Sequence, residues 1–149
     1  MARGILISVM PLEMYRALRD AALVSEIYFM VGLLSLATGL MVPFASRFMP
    51  RRWIYVTGCA MFAGGAAMGA QGGALGMIAA LALITAATVT VFVCFNAYVL
   101  DFISKSDLGR CETSRMFYSA LGWTVGPFLG VTLLGLWRPL PFLIAGLAA

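Results

Sequence analysis

The side chains that could take part in chemistry are few in this chain. It contains ten lysine and arginine residues, six aspartate and glutamate residues, three cysteines and no histidine. The absence of histidine removes the commonest general base and metal ligand, and it excludes hydrolytic triads and HExxH-type zinc sites. No two of Cys59, Cys94 and Cys111 stand at metal-ligand spacing. The acids lie near the ends of apolar segments, so no nucleophile–base pair can be assembled, and we expect no enzymatic activity, metal or cofactor.

Two of the acids adjoin long apolar segments. Intramembrane acids are energetically costly and therefore functional by default, but Glu26 and Asp101 both fall within a turn or two of a segment end, where water or a partner reaches them. Glu26 could pair with Arg19 or line an outer vestibule. Asp101 is expected to pair with one nearby arginine, in an exposed interaction worth only about 0–1 kcal/mol. The candidate partners are Arg47, Arg51, Arg52 and Arg115.

The elements that carry these residues follow from the distribution of charge. Charged side chains divide the chain into uncharged windows at 4–12, 27–46, 53–100, 116–137 and 139–149. A membrane-spanning helix needs roughly 20 apolar residues, so the second and fourth windows hold one span each. The third window, of 48 residues, holds two, because Gln71-Gly72-Gly73 can turn the chain midway. A composition that is 62% hydrophobic and 11% charged likewise indicates an integral membrane protein.

We therefore predict an all-α, polytopic membrane protein that forms a single domain, 1–149. Its four complete transmembrane helices are expected at about 22–46, 53–71, 74–100 and 114–137. The two end windows are each about half a span, and a half-span in hydrocarbon leaves backbone groups unsatisfied. We interpret them as the tail of a first helix, about 3–12, and the start of a sixth, about 139–149, of a longer protein. The alternative is a complete four-helix protein with amphipathic or re-entrant ends.

Basic residues also predict the orientation in the membrane. The second and third helices are joined through Arg47, Arg51 and Arg52, and the fourth and fifth through Lys105, Arg110 and Arg115. The opposite side carries Arg16, Arg19 and Arg138. By the positive-inside rule, six basic residues against three place loops 47–52 and 101–115 in the cytoplasm of a multi-pass plasma (inner) membrane protein. Such short clusters are topology signals and do not form a nucleic-acid-binding face.

Two segments resemble motifs of the major facilitator superfamily. Residues 45–52, Ala-Ser-Arg-Phe-Met-Pro-Arg-Arg, resemble the family's cytoplasmic loop signature, whose common form is Ala-Asp-Arg-x-Gly-Pro-Arg-Arg. Ser46 replaces the acidic residue and Met49 the glycine. The second segment, in the fifth helix, resembles the family's Gly-x-x-x-Gly-Pro-x-x-Gly pattern through Gly122, Gly126, Pro127 and Gly130, although Val131 departs from the double glycine.

The fifth-helix segment also has a direct physical reading. Gly122, Gly126 and Gly130 recur every four residues, so they form one stripe that lets another backbone approach closely. Pro127 removes one backbone donor and is predicted to bend the helix. The alternative reading is the small-residue packing that is common in membrane proteins.

The resemblance covers essentially the whole chain, because both motifs occur after the expected number of spans. It implies most of the N-terminal six-helix half of a twelve-helix transporter whose C-terminal half is missing. In the family, the first and fourth helices line the central path, so Asn96, which shares a polar stripe with Thr85 and Thr88, is a cavity-lining candidate. A hydrogen bond between two helices is the alternative for Asn96. Glu26 and Trp123 are further cavity candidates, although membrane aromatics often serve packing.

The same resemblance implies that loop charges gate the conformational change. The gating candidates are Arg47, Arg51, Arg52, Asp101 and Arg115. The chain has no arginine between Ala74 and Leu100, where the family's proton-coupled efflux proteins carry one, although the glycine–proline pattern is typical of antiporters. The coupling ion, the substrate and the direction of transport therefore stay open.

Two functions are compatible with these residues. The first is secondary transport of a small molecule by alternating access, including efflux or antiport, with the bilayer and the missing half as partners. The second is a small tetraspan interaction or assembly protein without transport activity, in which Gly65, Gly69 and the fifth-helix glycines bind partner helices.

Overall fold

The computed structural model describes residues 2–71, 73–104, 106–137 and 139–147. Its helices are α1 (Ala2–Leu18), α2 (Ala21–Ala45), α3 (Arg51–Gln71), α4 (Ala74–Phe102), α5 (Leu108–Leu136) and α6 (Leu140–Leu147). The described residues contain no strand, and α2, α3, α4 and α5 are each long and apolar enough to cross a membrane, which confirms an all-α protein with four candidate spans. Gly72, Lys105, Arg138 and the last two positions of the predicted sixth helix lie outside the described residues.

Two helices extend well beyond the bounds predicted for them. α1 ends at Leu18, six residues beyond the predicted end at 12, and α5 begins at Leu108, six residues before the predicted start at 114. Charged side chains do not break these helices, because each extension carries an ion pair between residues three apart: Arg16 Nη1 lies 2.8 Å from Glu13 Oε1, and Arg115 Nη2 lies 2.6 Å from Glu112 Oε1. Uncharged windows measure the apolar length of a segment and not the length of its helix.

Short connections join the helices at two ends of the bundle. Between α1 and α2, Arg19 adopts a left-handed backbone conformation (φ 55°), and the carboxylate of Asp20 accepts a hydrogen bond from the backbone N–H of Ala22 at 2.8 Å. That bond satisfies one of the free donors at the start of α2. Between α3 and α4, Gly73 has φ 90°, a conformation that favours glycine.

The packing is centred on α1 and α4. α1 contacts α2, α4, α5 and α6, while α4 forms a long antiparallel hairpin with α3 and also packs on α2. Fully buried side chains from these helices meet at the centre: Val9 and Met14 from α1, Ala80 and Ala87 from α4, and Phe142 from α6. Of the four candidate spans, α4 is the most enclosed and α2 the least.

The α2–α3 and α4–α5 connections lie together at one end of the bundle, as the ion pair between the start of α3 and the end of α4 shows. We call this the basic end. It is defined by Arg47, Arg51, Arg52, Arg110 and Arg115. The opposite end holds the α1–α2 and α3–α4 connections and the start of α6. A cavity of about 400 Å³ lies there, lined by the end of α1, the α3–α4 turn and Phe142 of α6.

Candidate functional site: the basic end and a cavity between α1, α2 and α4

One ion pair joins two helices at the basic end. Arg51, the first residue of α3, donates from Nη1 to a carboxylate oxygen of Asp101, in the last turn of α4. The side chains are 41% and 52% exposed, so water competes for both charges. Exposed ion pairs contribute about 0–1 kcal/mol to stability. The structure thus selects Arg51 from the four candidate partners of Asp101, and the fold does not depend on the pair.

Arg115 makes the second polar connection at this end, between α5 and α4. Its Nη1 donates to Asn96 Oδ1 at 2.5 Å, and its Nη2 donates to Glu112. The guanidinium carbon also lies 5.7 Å and 5.8 Å from the ring centroids of Phe92 and Phe95, within the range of cation–π attraction. Asn96 therefore joins two helices in this conformation, as the alternative reading of its polar stripe expected.

The remaining gating candidates are less constrained. Arg47 and Arg52 are exposed, and within the described ranges neither forms an ion pair. Arg52 instead borders an open groove between α3 and α4. Only two of the five gating candidates, Arg51 and Asp101, are therefore brought into direct contact with each other.

A cavity of about 210 Å³ lies between α1, α2 and α4. Its polar groups come from Tyr28, Thr85 and Thr88, and its apolar wall comes from Leu6, Met10, Leu81 and Ile84. The hydroxyl of Thr88 donates to the Ile84 carbonyl at 2.6 Å, as a threonine in a membrane helix often does, so it presents a satisfied group. Thr85 and Thr88 lie near the middle of α4.

Tyr28 lines the cavity but was not predicted from the sequence to do so. The available signal was a single phenolic hydroxyl inside an apolar run, and a buried tyrosine usually needs a partner for that group. Glu26, one helical turn before Met30, borders a different depression of about 380 Å³ between α2 and Ile78 of α4. It is exposed, and no ion pair with Arg19 forms between these two described residues. Trp123 is half exposed on α5.

The fifth-helix glycines are used inside the bundle. We call Gly4 of α1 together with Gly122, Gly126 and Gly130 of α5 the glycine seam. A Cβ on Gly126 would lie 2.7 Å from the Cα of Gly4, and one on Gly130 would overlap the Ile5 carbonyl oxygen. Ser8 Oγ also donates to the Pro127 carbonyl at 3.3 Å. The predicted close backbone approach therefore occurs, with α1 as the partner helix, and α5 is helical on both sides of Pro127.

No family model, curated protein or solved structure matches this chain.

Proposed function

We propose that this chain forms a six-helix transport unit, similar to the N-terminal half of a major facilitator, that moves a small molecule across a membrane by alternating access. The cytoplasmic orientation of the basic end and the inner-membrane location belong to the same proposal. The following features of the bundle support it.

The observation that carries the proposal is the pattern of helix pairing. The most extensive pairings are α3–α4, α1–α5, α2–α4, α3–α6, α1–α6 and α1–α4. Exchanging α1, α2 and α3 with α4, α5 and α6 converts this set of pairings into itself, whereas the smaller pairings α1–α2 and α5–α6 have no counterpart of similar extent. Secondary transporters are often built from two repeats of inverted topology, in which such an exchange preserves the packing.

The directions of the helices agree with an inverted repeat. α1 and α5 run parallel, because Gly4 adjoins Gly126 and Val9 adjoins Gly130. Their counterparts under the exchange, α4 and α2, run parallel as well, since Ile78 borders Val31 and Gly39 adjoins Val89. The exchanged helices themselves, such as α1 and α4, point in opposite directions. Successive helices alternate in direction, so this reversal accompanies any exchange of three helices with the next three. The preserved partners are therefore the feature that supports an inverted repeat.

The cavity and the basic end supply the parts that alternating access needs. The cavity between α1 and α4 lies at mid-depth, between the helices that the exchange relates to each other, where the substrate site of such a transporter is expected. The Arg51–Asp101 pair closes the basic end through a contact that is weak enough to open repeatedly. We assign it the role of a latch that favours the state closed at that end.

The alternative function, a tetraspan interaction protein, relies on glycine stripes that are free to bind partner helices. In this bundle those stripes are filled by helices of the same chain. A Cβ on Gly65 would lie 2.8 Å from Ile84 Cγ1, and one on Gly69 would lie 2.7 Å from the Phe142 ring. The fifth-helix glycines face α1 in the same way. The occupied stripes therefore favour transport over partner binding.

Labelling a cavity residue from both sides of the membrane tests alternating access without knowledge of the substrate. Cys59, Cys94 and Cys111 are replaced by serine or alanine in the full-length protein, and Thr85→Cys is introduced. A membrane-impermeant thiol reagent is applied to right-side-out and inside-out vesicles. We expect Thr85→Cys to be labelled from both sides, because a substrate site opens to each side in turn.

The matched control is Thr57→Cys in α3. Thr57 is exposed on the outer surface of the bundle, so the same exchange of threonine for cysteine is made away from the cavity. A lipid-facing cysteine at this position should be labelled from neither side. Labelling of Thr85→Cys from one side alone, or from neither, would contradict the proposal.

Substrate and coupling require flux measurements. Compounds that bind the full-length protein in nanodiscs would be tested for uptake into proteoliposomes with and without a pH gradient. A compound whose accumulation follows the gradient identifies both substrate and driving ion.

A further inference from the structure

An open groove of about 360 Å³ begins at the basic end and runs between α3 and α4. Arg52, Tyr55 and Val56 line it from α3, and Phe95 and Tyr98 line it from α4. The groove lies on the outside of the hairpin, where Val56 and Phe95 are 55% and 42% exposed. It is separate from the cavity between α1, α2 and α4.

Arg52, the one arginine that lines this groove, has no acidic partner among the described residues. Arg51 pairs with Asp101 and Arg115 pairs with Glu112, but within the described ranges no carboxylate lies within ion-pair distance of Arg52. A guanidinium has five N–H donors in a planar fork that matches phosphate oxygens. At the edge of a membrane-spanning helix, such a free cation lies at the level of the lipid headgroups.

The remainder of the groove is apolar and aromatic. Val56 and the ring of Phe95 form a surface suited to an acyl chain, and Tyr55 and Tyr98 add hydroxyl groups to the lining. The ring of Tyr98 is stacked on that of Phe102, with centroids 6.2 Å apart, which holds it in place. A cation at one end and an apolar channel along the rest fit an anionic amphiphile.

We propose that this groove binds an anionic phospholipid, with its phosphodiester at Arg52 and one acyl chain along Val56 and Phe95. Because both walls are candidate membrane spans, the groove opens toward the acyl chains of the bilayer and not toward water. Basic pockets between membrane helices bind anionic headgroups by the same combination of charge and apolar contact. The proposal is independent of transport, since it requires only the α3–α4 hairpin in a bilayer.

Quenching of a single tryptophan by brominated lipids tests this site. Trp53, Trp123 and Trp137 are replaced by phenylalanine in the full-length protein, and Phe95→Trp places the single tryptophan in the groove, where it is excited selectively at wavelengths that tyrosine does not absorb. In phosphatidylcholine bilayers, a small fraction of brominated phosphatidylglycerol should quench this tryptophan more than the same fraction of brominated phosphatidylcholine. Arg52→Gln should lower the preference about fivefold, the effect of one basic residue at an anionic surface.

The matched control is Arg110→Gln, which removes another exposed arginine of the basic end away from the groove. It should leave the preference unchanged, and Arg52→Lys should retain part of it. Added inorganic phosphate should not displace the lipid, because the acyl chain supplies part of the binding. Equal quenching by the two lipids, or an equal loss in Arg52→Gln and Arg110→Gln, would overturn the proposal. Phosphatidylglycerol retained by the unaltered protein and lost in Arg52→Gln, measured by native mass spectrometry, checks the result without the tryptophan replacements.

Discussion

The glycine seam and the basic end hold their helices together in opposite ways. At the seam, backbone lies directly against backbone where Gly126 meets Gly4 and where Gly130 meets the Ile5 carbonyl. At the basic end, the helices are joined by long, partly exposed polar side chains around Arg51 and Arg115. Close backbone packing has one arrangement, whereas exposed polar contacts exchange readily with water. We therefore place the start of the proposed conformational change at the basic end.

The largest effect is expected from Gly126→Ala in the seam. The new Cβ would lie 2.5 Å from the Gly4 carbonyl carbon, so α1 and α5 must separate along their contact. Overpacking usually costs about 1–3 kcal/mol, and the upper part of that range applies where the neighbour is backbone. Thermal unfolding in detergent should show a clear loss of stability. Gly135→Ala in the same helix, with nothing within 4 Å of its Cβ, is the matched control. Equal unfolding temperatures for the two variants would show that the seam is not closely packed.

A smaller loss is expected from Gly65→Ala in the α3–α4 hairpin. Its Cβ would meet Ile84 Cγ1 at 2.8 Å, a side-chain atom that can shift, whereas Leu83 Cβ and the Ala80 carbonyl oxygen lie farther away, at 3.1 Å and 3.3 Å. We expect about 1 kcal/mol, below the effect at Gly126, by the same unfolding assay. The adjacent Gly64→Ala has nothing within 4 Å and should be neutral. If Gly65→Ala destabilised the protein more than Gly126→Ala, the distinction between backbone and side-chain neighbours would be wrong.

At the basic end, Arg115→Ala should cost about 1–2 kcal/mol, because it leaves Asn96 without its charged donor and removes the cation from Phe92 and Phe95. Chemical denaturation of the purified protein measures this change. Arg110→Ala removes an exposed arginine from the same helix and should be close to neutral. If Arg115→Ala and Arg110→Ala had the same free energy of unfolding, the contacts of Arg115 would not contribute to stability in the purified protein.

The smallest effect on stability, and the most specific effect on conformation, is expected from Asp101→Asn. Loss of the exposed pair with Arg51 should change the free energy of unfolding by less than about 1 kcal/mol. Labelling of Thr85→Cys from the side of the basic end should nevertheless increase, because the state open at that end is no longer disfavoured. Asp107→Asn, whose carboxylate accepts from Ser104 Oγ at 2.7 Å and pairs with no arginine of α3, is the control. Unchanged labelling in Asp101→Asn would show that the pair between Asp101 and Arg51 does not act as a latch.

Particular residues show how far prediction from sequence extends. The spans followed from charge and apolar length, because a helix that crosses hydrocarbon needs about 20 apolar residues and satisfies its own backbone hydrogen bonds. The helix ends at Leu18 and Leu108 did not follow, because a helix continues into water wherever its charged residues pair locally. The four-residue spacing of the glycines around Gly126 predicted that another backbone approaches α5 closely. The spacing did not predict that this backbone belongs to α1.

The candidate site was predictable in its residue types more than in its arrangement. Asp101 was expected to meet an arginine, yet the choice of Arg51 depends on how the ends of α3 and α4 are placed. Thr85 and Asn96 share one polar stripe of α4. In the structure, however, Thr85 lines a cavity, whereas Asn96 accepts a hydrogen bond from another helix. A helical wheel gives direction around one helix and says nothing about which neighbour lies there.

The amino-acid sequence by itself determined that this protein is a helical membrane protein. It also determined which segments are apolar and long enough to span hydrocarbon, and which residues place charge at the ends of those segments. These properties depend on transfer between water and lipid, which is local along the chain. The tertiary structure alone decided the partners: α1 against α5, Arg51 with Asp101, and the exchange of three helices with three that supports a transport function. Partners depend on shape and on contacts between residues distant in sequence, which no local pattern encodes.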